Sequence, residues 1–502
     1  MEIRSQETSS SRKWLILISI SLALLPVTID TTILYVAIPT LTLNLKANAE
    51  EVLWIIDIYP LLMAGLLVVA SALGGRMGYK KALMIGVTIF GAASALAAFS
   101  QTPIQLILMR ALLAVGGALI LPATLAIVRS AFQDKRERIL ALGIWTSIAA
   151  GGSAIGPVVG GAILEKWWWG AAFLVNLPIA IIALLLALAF LPKGEKQKAA
   201  PWTALDVICS IAGMIAIVYG IKSFIHPDKS TEASIIGFTL GSGLLIYFIS
   251  RQLNSPTPLI NLKLFNNHAI KISTLAIFTA FMAMTGFEVI LSQHLQFAYN
   301  LTPLQSGLAI IVLPIGTIIA SPFTSFLTRG LSTHATLVTA LAISATGFAG
   351  ASYLYEPGFH SLTQWITSQL SLLCIGIGTG IVITTASSAI MESVPSDDAS
   401  AAASIESVTL ELSSGLGVAI VGSIAAILFQ QFVSGDAALG SLMGHSIGDT
   451  IINLRETGEA ETGNLMKLSR QASAFAYKEI TELLAVTLAI VATATFALSL
   501  ER

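Results

Sequence analysis

Charge is what this sequence has least of. Of its 502 residues 11% are Asp, Glu, Lys or Arg, against about a quarter in an ordinary soluble protein, while 55% are hydrophobic and the mean hydropathy is +0.82. A water-facing surface cannot be built from that mixture, which excludes a cytoplasmic enzyme, a nucleic-acid binder and a disordered regulator together. Cysteine is nearly missing as well. Cys209 and Cys374 both lie in apolar runs, so neither a disulfide framework nor a thiolate metal site is expected. No HExxH, no phosphate-binding GxxxxGK[ST] and no paired Cys/His cluster is found, and no nucleophile elbow is expected, so the chain does not read as an enzyme or as an ATP-driven machine. The formal net charge of -1 describes no binding face, because in a membrane protein the placement of charges matters more than their sum.

What the sequence has instead is long apolar runs. A spanning helix needs about 20 mostly apolar residues, and fourteen such runs follow one another, from 14–38 at the start to 478–499 at the end. The basic flank Arg12-Lys13 and the apolar stretch behind it imitate a signal peptide, but the run continues to Ile38 with an acid inside it and thirteen more spans follow. With the N-terminus cytoplasmic, the inner segments hold 18 of the 27 Lys and Arg residues and the outer ones eight, Lys222 among them. That asymmetry favours both termini inside. The expected fold is an all-α integral membrane protein of fourteen helices divided six, two, six. Residues 1–191 form a first six-helix bundle, 192–268 a linker carrying two extra helices, and 269–502 a second, pseudo-symmetric bundle. The polar stretch at about 433–477 is then an external loop, either a partly helical hairpin or a plain solvated segment. A faint echo between SALGGRMGYKKAL and SFLTRGLSTHATL hints at repeated halves, a common way to build a central cavity with two access states.

Ionisable residues inside the spans cost at least about 2.5 to 3.5 kcal/mol each at mid-membrane, so every one is a functional candidate. They are Asp30, Asp57, Arg110, Glu288, Glu406 and Glu411, all acids but one. A cavity lined by carboxylates attracts cations and protons, and withdrawing a carboxylate from water favours its protonated form, which makes a proton and a cation alternatives for one site. Asp30 lies about halfway along its helix. Asp57 sits nearer the outer third of span 2, where it either binds or snorkels to water. Glu288 shares its helix with His294, a lining residue. Glu406 and Glu411 are five residues apart and about 140° around the helix, so they are not expected to share one face. Trp54, Tyr59 and Phe287 offer cation–π faces worth about 0.5 to 2 kcal/mol each.

Glycine adds a second pattern. In AAGGSAIGPVVGG, Gly152, Gly156 and Gly160 recur every four residues on one face, with Pro157 and Gly161 adjoining, a face that packs helices closely while Pro157 bends its own. A second such face, GLGVAIVG, runs from Gly415 to Gly422.

These residues resemble, over nearly the whole chain, the fourteen-helix drug/proton antiporters of the major facilitator superfamily, and within them the methyl viologen and quaternary ammonium exporters. TIDTTILYVAIP (28 to 39) looks like that family's first-helix signature. GGSAIGPVVGG resembles its antiporter motif, RALLAVGGA (110 to 118) its helix 4 motif, and WWWGAAFLVNLP (167 to 178) and LQFAYNLTPLQSGLAIIVLP (295 to 314) its later links. Two positions depart. Gly75, beside Arg76, stands where the family's gating loop has Asp, and Leu113-Ala114 stand where the helix 4 motif has Gln-Gly.

The resemblance implies a proton-coupled efflux antiporter that exports lipophilic and quaternary ammonium cations and cationic dyes by alternating access. Proton coupling then falls to Asp30, Arg110 and Glu411. Substrate binding falls to Asp57, Glu288, Glu406, Trp54, Tyr59 and Phe287, and gating to Gly152, Gly156, Pro157, Gly160, Gly75 and Arg76. No cofactor is implied beyond the proton motive force. The expected setting is a bacterial cytoplasmic (inner) membrane and its lipid, as a monomer without nucleic acid. The alternatives on the same fold are an exporter of another small solute, such as an amino acid or siderophore, and a lipid flippase.

Overall fold

A computed structural model describes residues 10–192, 203–225, 231–255, 258, 260–327, 330–352, 362–395, 399–433, 444, 446–457 and 462–500. Among them no strand occurs, and fourteen helices are long and apolar enough to span a bilayer. They are α1 (Arg12–Leu45), α2 (Ala49–Met77), α3 (Tyr79–Ala98), α4 (Pro103–Ala131), α5 (Arg136–Leu164), α6 (Ala171–Phe190), α7 (Ala204–Phe224), α8 (Thr231–Asn254), α9 (His268–Ala298), α10 (Pro303–Pro322), α11 (Thr333–Ala351), α12 (Leu362–Glu392), α13 (Ala401–Val433) and α14 (Leu465–Ala497). Leu185, Ile208, Phe224, Ile236, Leu370 and Ile490 are exposed on their outer faces. In water such a belt would aggregate, whereas lipid solvates it.

Local sequence sets where the helices start. Asn48 and Glu51 form a capping box ahead of α2, Thr102 caps α4 with Pro103 behind it, Asp134 caps the helix that contains α5, and Ser332 caps α11. The first six helices pack on one another, α1 against α5 and α6 and α4 against α2 and α3. In the last six, α12 packs against α10 and α11, α13 against α9 and α14. Between them α7 and α8 form a hairpin whose glycines meet. A Cβ on Gly237 would lie 2.7 Å from Gly220, one on Gly241 2.8 Å from Ile217, and Arg251 pairs with Asp206 at 2.7 Å.

The halves repeat one another in their turns. After α1, Lys46 adopts φ 52°, Asn48 is the N-cap and Glu51 closes the capping box. After α9, Asn300 adopts φ 53°, Thr302 is the N-cap and Gln305 closes the box. The three pairs, 46 and 300, 48 and 302, 51 and 305, are each 254 residues apart. The next turn repeats as well, with Gly78 (φ 92°) between α2 and α3 and Gly330 (φ 86°) between α10 and α11. Only glycine enters that region without strain. The turns after α1 and α9 thus repeat one another in backbone conformation and in capping.

Three boundaries differ from expectation. The helix containing α14 begins at Thr462 instead of 478, and a short helix, Ile447–Thr457, precedes it, so the polar segment is partly helical. Ile447 and Leu465 pack with Phe297 and Phe429 to seat it on the end of the bundle, and Gly448 lies against Thr42. Span 6 is interrupted at Val175 and span 10 at Ile311. The end of α9 widens into a π-turn, His294–Ala298, which turns His294 onto the Tyr477 ring at 4.2 Å between centroids.

Candidate functional site

Four helices converge on Asp30. Its carboxylate takes the Arg110 guanidinium from α4 on one oxygen, and on the other the Asn176 amide from α6 at 3.3 Å; Asn176 also reaches Ser94 of α3 at 3.2 Å. Arg110 donates a further bond through Nε to the Ile55 carbonyl at 3.1 Å, and its guanidinium lies 4.6 Å from the centroid of the Tyr59 ring. Every side chain in this network is buried. A charge pair withdrawn from water persists when neighbouring groups take up its donors and acceptors, and here the Ile55 carbonyl, the Asn176 amide and the Tyr59 ring contribute. With Leu113-Ala114 in its helix, Arg110 is partnered by Asp30, the Ile55 carbonyl and the Tyr59 ring.

Two of the aromatic candidates have partners within the chain. The Tyr59 ring lies on Arg110. Phe287 is enclosed in the second half, edge-on to Phe348 at 5.2 Å and tilted on Tyr477 at 5.8 Å, and is fully buried.

Asp57 faces away from this group. It is fully buried and does not snorkel. Lys222 of α7 pairs with it at 2.9 Å and lies 3.7 Å from the centroid of the Trp54 ring, whose Nε1 reaches Glu50 at 3.4 Å. Lys222, read from sequence as an outer-loop lysine, is thus an interior residue. One signal was available. Ile211, Met214, Val218 and Lys222 fall on one helix face, opposite Gly65, Leu61 and Asp57 on α2.

The second half supplies acids without such partners. Glu288 on α9 is buried and Glu411 on α13 half-buried, and neither has an ion pair among the described residues. Tyr35 of α1 lies within electrostatic range of Glu288, Glu411 and Arg110, and Tyr59 within range of Asp30, Arg110 and Glu411. The two rings mark a central region that receives carboxylates from both halves. Glu406 is elsewhere, half-buried beside the Ser387 hydroxyl of α12, in keeping with its different helix face. Tyr35, Ser94 and Asn176 escaped the sequence reading because they carry no charge, although Asn176 lies inside the motif 167 to 178.

The small-residue face of α5 packs within its own half. A Cβ on Gly152 would strike Thr28, on Gly156 Thr32, and on Gly160 Ile33 at 2.6 Å, all on α1. It is Pro157 and Gly161 that meet the other half, against Gly307 and Leu304 of α10. Further contacts join the halves toward the same end. The Ser292 hydroxyl donates to the Tyr35 carbonyl at 2.7 Å, Gln296 to the Val36 carbonyl at 3.0 Å, and Thr302 to Glu165 at 2.6 Å, while Gly415 meets Leu61 and Gly422 meets Leu53. Gly75 is buried at the opposite end of α2, next to an exposed Arg76. The string Gly444 to Gly448 matches the GxSxG spacing of a nucleophile elbow, but Ser446 lies immediately ahead of the Ile447–Thr457 helix and its hydroxyl accepts the Asp449 backbone N–H at 3.1 Å, a capping role with no preceding strand among the described residues.

Residues 20–418 match the family model described as Major Facilitator Superfamily. The methyl viologen resistance protein SmvA of Salmonella typhimurium is 36% identical over 85% of this chain and 86% of its own length. The multidrug efflux pump LfrA of Mycolicibacterium smegmatis is 34% identical over 87% of this chain and 85% of its own. Among solved structures, a bacterial homologue of the human lysosomal transporter Spinster, in an inward-facing and unoccupied conformation, superposes with a TM-score of 0.68 at 15% identity, covering 98% of this chain and 97% of that one. The structural likeness shows the fold; the family match and the sequence relatives make the chain a multi-pass membrane transporter and not an enzyme. The chain belongs to the Major Facilitator Superfamily, and its relatives in sequence include drug-efflux and methyl viologen resistance proteins.

Proposed function

We propose that the chain is a proton-coupled exporter of lipophilic organic cations that works by alternating access. One observation carries the reading: Glu288 and Glu411 lie inside the membrane-spanning helices without ion-pair partners among the described residues, while the two acids of the first half are both paired. An unpaired carboxylate in a low-dielectric interior is stabilised either by a proton or by an organic cation, so one ligand displaces the other. Glu288 and Glu411 are the acids over which the two compete. Asp30 and Arg110 form the coupling pair, which relays the occupancy of the second half to the first through Tyr59 and Tyr35.

With both termini cytoplasmic, the contacts of α5 with α10, α1 with α9 and α2 with α13 seal the external end, and the substrate enters from the cytoplasm or the inner leaflet. The division into 1–191, 192–268 and 269–502 then separates two rocking bundles from a linker pair. Exchange of one monovalent cation for one proton moves no net charge, and each extra proton adds roughly 2.3 kcal/mol per 100 mV of membrane potential. No cofactor enters this scheme. A lipid flippase calls for a laterally open cavity, and on the α2/α13 side α7 covers the seam, its Val218 packed with Leu61 and Ala419.

The test is ethidium or methyl viologen flux in proteoliposomes under an imposed pH gradient. Flux driven by the gradient in the parent chain and lost in Glu411→Gln supports the proposal; parent flux indifferent to the gradient refutes proton coupling, and its absence for every cation tried refutes the substrate class.

A further inference from the structure

The surroundings of Lys222 have the composition of a ligand site. An ammonium group lies between a fully buried carboxylate, Asp57, at 2.9 Å and the face of Trp54, 3.7 Å from the ring centroid. A carboxylate on one side and an indole on the other is how organic ammonium ions are recognised: the charge is matched, and the aromatic quadrupole replaces part of the lost hydration. Here the occupant belongs to the chain itself. It arrives on α7, which runs along α2 so that Lys222 meets Asp57, Val218 meets Leu61, and Ile211 with Met214 meets Gly65. The same stretch of α7 also touches α13 through Ala419, Leu412 and Leu416. The linker helix therefore lies over the seam between the halves, and the Lys222–Asp57 ion pair ties it to the first.

We infer that Trp54 and Asp57 form an organic-ammonium site of their own, separate from the central acids, and that Lys222 is its resident, tethered ligand. The lysine keeps exported cations out of this lateral site and keys the linker pair to α2. Removing the lysine side chain leaves a space of the shape and charge of a small alkylammonium ion.

Chemical rescue tests this. Lys222→Ala in the full-length protein leaves Asp57 buried and unpaired, so its melting temperature falls. n-Propylammonium, added at millimolar concentration, is expected to raise that temperature saturably, leaving the parent chain unmoved. Lys222→Ala/Asp57→Asn, which has no charge to match, is expected not to respond. Adding Trp54→Leu to Lys222→Ala should weaken the amine by about 2- to 30-fold, the span of a cation–π contact. A Lys222→Ala protein that melts at the same temperature with and without the amine overturns the site, as does a rescue that persists without Asp57. Should Lys222→Ala be too unstable to purify, Lys222→Ser, which also empties most of the space, is tested by tetramethylammonium binding in a Glu288→Gln/Glu411→Gln background that removes the central acids. A saturable site there that vanishes with Asp57→Asn supports the inference, and no gain over that background refutes it. Neither assay measures proton-driven flux, so failure here is distinguishable from failure of the transport proposal.

Discussion

The two halves of this transporter share the turn that follows their first helix but treat the acids inside their membrane-spanning helices in opposite ways. In the first half each acid has a cation: Asp30 has Arg110 and Asp57 has Lys222. In the second half Glu288, Glu406 and Glu411 have no ion pair among the described residues. Duplicated scaffolds can thus diverge in electrostatics while keeping backbone geometry. In the proposed mechanism the first half is a charge-neutral frame, and the second carries the carboxylates that a proton or a substrate cation occupies in turn. A paired acid exchanges its partner at the cost of leaving a buried charge alone, whereas an unpaired one exchanges ligands without that cost.

The comparison breaks most severely at Asp30 and Arg110. Asp30→Asn or Arg110→Gln leaves its partner buried and uncompensated, a loss of about 3–5 kcal/mol. Proton-driven cation flux is expected to fall by about 100-fold or more, and the double variant Asp30→Asn/Arg110→Gln to regain stability but not coupling. Full coupled flux in either single variant would make the pair a structural strut only. Next come the unpaired acids. Glu288→Gln and Glu411→Gln lose a charged partner for the substrate, worth about 1.5–3 kcal/mol. Cation affinity should drop roughly 10-fold or more while the melting temperature holds or rises, because no ion pair is broken. A marked fall in melting temperature would mean that these glutamates have a structural partner.

Asn176→Ala removes one donor to Asp30 and is expected to cost about 0.5–1.5 kcal/mol, a decrease of roughly 2- to 10-fold in flux with substrate binding little changed. An effect on binding larger than on coupling would move Asn176 from the frame to the ligand. The smallest effect belongs to Glu406→Gln. This side chain lies beside Ser387 and outside the region marked by Tyr35 and Tyr59, so flux should stay within about twofold of the parent, as for a surface charge. A loss as large as that of Glu411→Gln would enlarge the central site to include it.

Much of the fold was legible because the bilayer imposes one strong rule, about twenty apolar residues per span, and the chain obeys it fourteen times. Where the rule weakens, so did the reading. The polar start of α14 carries Lys467, Arg470 and Lys478, and its helix is held by packing against its own half instead of by lipid, so hydropathy placed the boundary sixteen residues late. The acids were legible by their cost in lipid. Their partners were not, because a pair joins residues distant in the chain, Asp30 with Arg110 and Asp57 with Lys222. Lys222 was further disguised by lying one turn before the polar stretch His226 to Lys229, which made it look like a loop residue. Aromatic character alone did not distinguish a ring that faces a cavity from Tyr59, which supports a guanidinium, or from Phe287, which fills a core. The glycine face of α5 was recognised, but its partner was not; Thr28 and Thr32 of α1 show that it closes the first bundle, while Pro157 beside it touches the second.

The claim that protons and organic cations compete for Glu288 and Glu411 is tested most directly by proton release. Purified protein in weakly buffered detergent solution at neutral pH is titrated with tetraphenylphosphonium while the solution pH is followed. The account predicts saturable acidification that tracks cation binding, is reduced in each of Glu288→Gln and Glu411→Gln, and disappears in the double variant. Cation binding without proton release, or release unchanged in the double variant, would contradict it.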